Sequence, residues 1–84
     1  MNGDTAIIVL KIPKQDIAVD LEIPLDISAN ELVLALNTAY GLGIDTSNIK
    51  NCYLKVENPI VLLKGNKTLS EFGLRNGSVI NYTE

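Results

Sequence analysis

The sequence predicts an α+β domain in which a mixed sheet of four to five strands is crossed by one long helix. Three observations carry that reading. Short runs with apolar residues at alternate positions recur along the chain. One segment near the middle places apolar residues at helical spacing behind a capping signal. Gly, Pro and Asn stand between these runs, where the chain must turn. At 84 residues there is room for one domain, since compact units run to about 100 residues and rarely below about 50.

Each element has its own reason. Ala6 to Ile12 is an apolar, β-branched run, and Pro13-Lys14 after it reads as a turn. Ile17, Val19, Leu21 and Ile23 then alternate with Ala18, Asp20 and Glu22, a period of two that describes a strand with one buried and one wet face. The two runs are close in sequence, so an antiparallel hairpin is the economical pairing. Pro24 ends the second strand. Ser28-Ala29-Asn30-Glu31 has the capping-box form, with Ile27 and Leu32 placed for a hydrophobic staple. Leu32, Leu36 and Ala39, flanked by Val33 and Tyr40, give one apolar helix face over Ala29 to Tyr40. Gly41 stops the helix and Gly43 loosens the connection.

Cys52, Leu54 and Val56 alternate with Tyr53 and Lys55, again a strand. Asn58-Pro59 breaks it, Ile60 to Leu63 is a short apolar strand, and Gly65-Asn66 turns the chain. Thr68-Leu69-Ser70-Glu71 repeats the capping-box form, but Gly73 arrives too soon for more than one helical turn. Arg75 to Ser78 is a turn and Val79 to Tyr82 a final strand. The order is ββαββ, a short helix, then β. Residues 1–5 are expected as a flexible N-terminus and 6–84 as the single domain.

Composition excludes several classes of function. With 46% hydrophobic and 20% charged residues the chain is too rich in aliphatics for a disordered tail. A net charge of −3, without a Lys/Arg run, argues against nucleic acid and anionic membrane as partners. The chain has no His, which removes the usual neutral-pH acid/base and the commonest metal ligand. One Cys cannot form a disulfide or a thiolate zinc site within a chain. No catalytic residue, cofactor, metal or small-molecule substrate is therefore expected, and the protein is read as a non-enzyme. The acid in Met1-Asn2-Gly3-Asp4-Thr5 and the brevity of the apolar stretch Ala6 to Leu10 argue against a signal peptide. No run approaches the ~18 apolar residues of a membrane span. A lone Cys suits a reducing interior, so a cytoplasmic location without membrane insertion is expected.

The element order with one long helix resembles the β-grasp arrangement, and particular residues carry the likeness further. Val19 to Ile23 leading to Ser28-Ala29-Asn30-Glu31-Leu32 resembles the second strand and helix start of ubiquitin. Lys64-Gly65-Asn66-Lys67-Thr68-Leu69-Ser70-Glu71-Phe72-Gly73-Leu74 resembles its stretch of turn, Thr-Leu-Ser, acid, aromatic and aliphatic. The sequence stops at Asn81-Tyr82-Thr83-Glu84, without the Gly-Gly through which ubiquitin and the β-grasp sulfur carriers are activated. A channel that admits only Gly-Gly would reject Thr83 and Glu84, so conjugation and sulfur transfer are disfavoured as the alternative reading. A short, tail-less ubiquitin-like chain with Leu74-x-x-Gly77 before its last strand resembles the YukD/EsaB family of type VII (WXG100/ESX-like) secretion systems. That resemblance implies an accessory or regulatory role, with protein components of the secretion machinery as partners and no catalysis. A β-grasp adaptor unrelated to secretion is the other alternative.

A binding site in such a protein is a surface. If Ile17, Val19, Leu21 and Ile23 face the helix and Lys11 faces water, the period of two puts Ile7 and Val9 on the outer side with Lys11. Tyr53, Lys55, Val79 and Asn81 take the same side. Ile7, Val9, Tyr53 and Val79 are thus expected as an apolar patch on the open sheet face, the face that ubiquitin uses for binding. Contiguous apolar surface marks partner sites, while β-branched residues there also serve strand propensity, and both readings stand. An exposed edge or sheet face could serve a homodimer as readily as a heteromer. Cys52 reads as a small buried hydrophobe and Tyr82 as core with its hydroxyl at the rim. Asp16, Asp20 and Glu22 read as a solvated hairpin face. Lys50, Lys55, Lys64 and Lys67 read as solubilising surface or as steering groups for an acidic partner.

Overall fold

The computed structural model describes residues 4–45, 47 and 52–82. Met1 to Gly3, Lys50, and the Thr83–Glu84 end on which the Gly-Gly argument turned lie outside the described residues. The strands are β1 (Thr5–Ile12), β2 (Ile17–Pro24), β3 (Leu54–Glu57), β4 (Val61–Leu63) and β5 (Val79–Asn81), with one helix, α1 (Ala29–Tyr40). They form one mixed sheet in the order β2-β1-β5-β3-β4. β1 runs antiparallel to β2 and parallel to β5, while β3 is antiparallel to both β4 and β5. Thr5, expected in a flexible N-terminus, is the first residue of β1, and the Asp4 carbonyl accepts from Leu25 N–H at 2.9 Å.

The alternation of the sequence is the cause of the layering. Ala6, Ile8, Leu10 and Ile12 of β1 are all buried and share a core with Leu54, Val56, Leu63 and Ile80 from the other strands. From α1, Ala29, Leu32, Val33 and Leu36 close that core on one side of the sheet. Each fully buried aliphatic contributes about 1.5–3 kcal/mol from burial. The helix begins where the capping box requires: Ser28 Oγ accepts from Glu31 N–H at 3.1 Å, and Glu31 Oε1 accepts from Ser28 N–H at 2.9 Å. It ends at Gly41, whose left-handed φ of 61° any side chain would strain. Asn37 then holds the following loop, its Oδ1 accepting from Ile44 N–H at 3.0 Å and its Nδ2 donating to Ile44 C=O at 3.2 Å.

Of two connections, the first takes a more defined form than the residues alone suggest and the second the form they predict. The Pro13-Lys14 turn is a 3₁₀ turn over Pro13–Gln15, closed by Asp16 N–H on the Pro13 carbonyl at 3.0 Å. The helical piece after β4 is one hydrogen-bonded turn and no longer. Phe72 N–H points between the Thr68 and Leu69 carbonyls, and Gly73, at φ 84°, ends the turn. This segment lies along the start of α1, with Ala29 N–H on Lys67 C=O and Leu69 N–H on Ile27 C=O.

Candidate functional site

The side of the sheet away from α1 is open, and the strand registers say which side chains it carries. Val9 is the direct partner of Asp20 on β2 and of Val79 on β5. Glu57 pairs with Val79, so one rung across the sheet reads Asp20, Val9, Val79, Glu57. The next rung reads Ala18, Lys11, Asn81, Lys55, Leu62. Toward the other end, Ile7 pairs with Glu22, whose carboxylate accepts from the Thr5 hydroxyl at 2.8 Å. No element among the described residues covers this face.

Ile7, Val9 and Val79 therefore lie together. Ile7 is 53% exposed, whereas Val9 and Val79 are half-buried among their neighbours. Acids flank this strip on both sides, Asp20 and Glu22 on β2 and Glu57 on β3, with Lys11 and Lys55 one rung further on. Tyr53 stands apart from the other three. It is exposed just before β3, and Lys55 and Asn81 intervene between it and Val79. On the same face β4 carries Leu62, 51% exposed and paired with Lys55. Leu62 was not among the residues singled out from sequence. Its run, Ile60 to Leu63, has no alternation of its own, and only pairing with β3 sorts it by face. Ile60, at the turn, is more exposed still, at 90%.

The strip is held in place by hydrogen bonds of the turn that precedes β5. Ser78, immediately before Val79, is fully buried. Its hydroxyl donates to Asn58 C=O and accepts from Arg75 N–H at 3.1 Å. Asn76 Oδ1 accepts from Ile7 N–H at 2.8 Å, and Gly77 N–H donates to Ile7 C=O at 3.0 Å. Gly77 makes that turn at φ 89°. The Arg75-Asn76-Gly77-Ser78 turn thus sets where β5, and Val79 with it, meets β1.

The remaining candidates have structural surroundings. Cys52 is buried, its thiol 3.3 Å from the Asp45 carbonyl. Tyr82 packs against the core and donates its hydroxyl to Leu42 C=O at 3.3 Å. Lys67 lies over the Phe72 ring, 5.0 Å from its centroid, and Lys55 and Lys64 are exposed. The Ser47 hydroxyl, followed by its backbone N–H, holds the Asp45 carboxyl below its ordinary value. Glu71 is lowered in the same way by the backbone N–H of Thr68 and then its hydroxyl. Among the described residues no group of three or more His, Cys, Asp or Glu could hold a metal ion. No helix among them is long and apolar enough to cross a membrane.

A five-stranded mixed sheet in this order, with one helix on its inner face, defines a ubiquitin-like protein. The fold agrees with the solution structure of the C-terminal ubiquitin-like domain of mouse tubulin-specific chaperone e. The TM-score is 0.71 over 100% of this chain and 92% of that one, at 14% identity. The sequence matches the family described as WXG100 protein secretion system (Wss), protein YukD, over residues 7–81, and the chain belongs to that family. No curated protein has a matching sequence.

Proposed function

We propose that the protein is a non-catalytic, cytoplasmic component of the WXG100 secretion machinery that works by protein contact through its open sheet face. Family membership supports the link to secretion. The observation that carries the contact reading is the strip Ile7, Val9, Val79, apolar, contiguous and uncovered among the described residues, on a sheet whose other face is filled by α1. Apolar surface rimmed by charge is the usual anatomy of a transient interface. Asp20, Glu22 and Glu57 around the strip favour a partner that brings Lys or Arg to its edges. Tyr53 and Leu62 extend the same face past Lys55 as a second contact point.

The test is genetic and physical together. The gene is deleted in its own host and replaced with wild type or with Ile7→Lys. Secreted WXG100 proteins are then quantified, and the purified variant is melted. Lost secretion with an unchanged melting temperature supports the reading; full secretion by the variant removes the open face from it.

A further inference from the structure

The sheet has two free edges of unequal size. β4 offers 3 residues, too short to template a partner strand. β2 offers 8 residues in one straight register with β1.

The hydrogen bonds of β1 show what β2 leaves over. Ile7, Val9 and Lys11 turn their backbone groups toward β5: the Ile7 carbonyl accepts from Gly77 N–H, Val9 N–H donates to Ser78 C=O, and the Lys11 carbonyl accepts from Tyr82 N–H. Successive strand residues turn these groups to opposite sides. Ala6, Ile8, Leu10 and Ile12 therefore face β2, and their partners there are Ile23, Leu21, Val19 and Ile17. The N–H and C=O groups of Ala18, Asp20 and Glu22 point outward, and all three residues are exposed.

The two sides of this edge differ. On the helix side Val19 is 38% exposed, and Ile17 and Leu21 are half-buried, although their β1 partners Leu10, Ile12 and Ile8 are buried. The apolar layer thus continues past the last strand without cover. On the open side stand Asp20 and Glu22, with Asp16 at the hairpin end. A second β2 added here would set acid against acid, which is destabilising across strands.

We infer that the free edge of β2 accepts, as an added strand, an extended segment of a partner protein in which aliphatic and basic residues alternate. Its backbone completes the outward groups of Ala18, Asp20 and Glu22. Its aliphatic residues continue the layer of Ile17, Val19 and Leu21, and its Lys or Arg residues lie beside Asp20 and Glu22. This edge shares Asp20 and Glu22 with the rim of the open-face strip, but its outward backbone groups and the layer of Ile17, Val19 and Leu21 are its own, and the inference does not depend on that strip.

The probe is a blocked peptide of alternating lysine and valine, matched to the 8 residues of β2. It is added to the isotope-labelled full chain while amide exchange is followed. Exchange should slow at Ala18, Asp20 and Glu22, by about tenfold or more at saturation. A glutamate–valine peptide should not slow it. Asp20→Pro removes an outward N–H without taking a bond from the β1 ladder, and should weaken binding by about tenfold. Asp20→Asn, which keeps that N–H, should weaken it less. Three results overturn the inference: unchanged exchange at the three amides in millimolar lysine–valine peptide, equal protection by the glutamate–valine peptide, or protection that rises with protein concentration alone, which would mean a second copy.

Discussion

Val9 and Val79 are direct partners on neighbouring parallel strands, side by side on the open face, with Asp20 beyond one and Glu57 beyond the other. This pairing makes the centre of the apolar strip part of the sheet's own packing. Substitution there tests stability and binding together, whereas Ile7, at 53% exposure, tests binding nearly alone.

Val9→Asp places a charge between half-buried neighbours and close to two acids, and should cost about 1–3 kcal/mol. Ile7→Lys faces Glu22 across the β1–β2 ladder and should change stability by no more than about 1 kcal/mol. Urea unfolding of both variants checks the ordering. Equal losses would mean that Ile7 is packed as deeply as Val9.

Ser78→Ala leaves Arg75 N–H and Asn58 C=O without the hydroxyl that joins them. The expected cost is about 1–3 kcal/mol, measured by denaturant midpoint, because two part-buried hydrogen bonds are lost together. Gly at this position should be no better.

Ser28→Ala removes the Oγ that accepts from Glu31 N–H, while the bond from the residue 28 N–H to Glu31 Oε1 remains. A loss of about 1 kcal/mol is expected. Ser28→Asp should recover most of it, since it keeps an acceptor at the N-cap, and thermal melting of the pair decides.

Glu71 holds the turn before β5 more tightly when ionised, since its Oε1 accepts from Thr68 N–H at 3.0 Å and a carboxylate accepts more strongly than a neutral carboxyl. Its folded value lies below the ordinary 4.5. Its stabilising effect is therefore present above the ordinary glutamate value and fades as pH falls through the lower, folded one. Amide exchange at Phe72 and Gly73 should therefore quicken toward acid in wild type, after correction for intrinsic rates. In Glu71→Gln that extra pH dependence should be absent.

Much of the fold was legible because local signals agreed. Ser28 with Glu31 and Gly41 bound α1 at Ala29 and Tyr40, where the sequence places it. The period of two sorted Ile8, Leu10 and Ile12 from Ile7, Val9 and Lys11 correctly. What alternation does not reveal is depth: Val19 faces the helix side as expected, yet lies 38% exposed, because β2 turns out to be an edge.

The candidate site was legible in part. Ile7, Val9 and Val79 come together, but the distance of Tyr53 from them depends on the register of β3 against β5, Lys55 with Asn81, which no local pattern encodes. Leu62 was missed for the same reason. Ser78 reads as an ordinary turn residue until Asn58, 20 positions earlier, is folded against it.

If the open face connects this chain to WXG100 secretion, a charge at Ile7 should break the connection. The most direct measurement is the amount of WXG100 protein exported by a deletion strain complemented with Ile7→Lys at wild-type protein level. Export should be as low as in the uncomplemented deletion, with wild type restoring it. Export equal to wild type from the Ile7→Lys strain would contradict the connection.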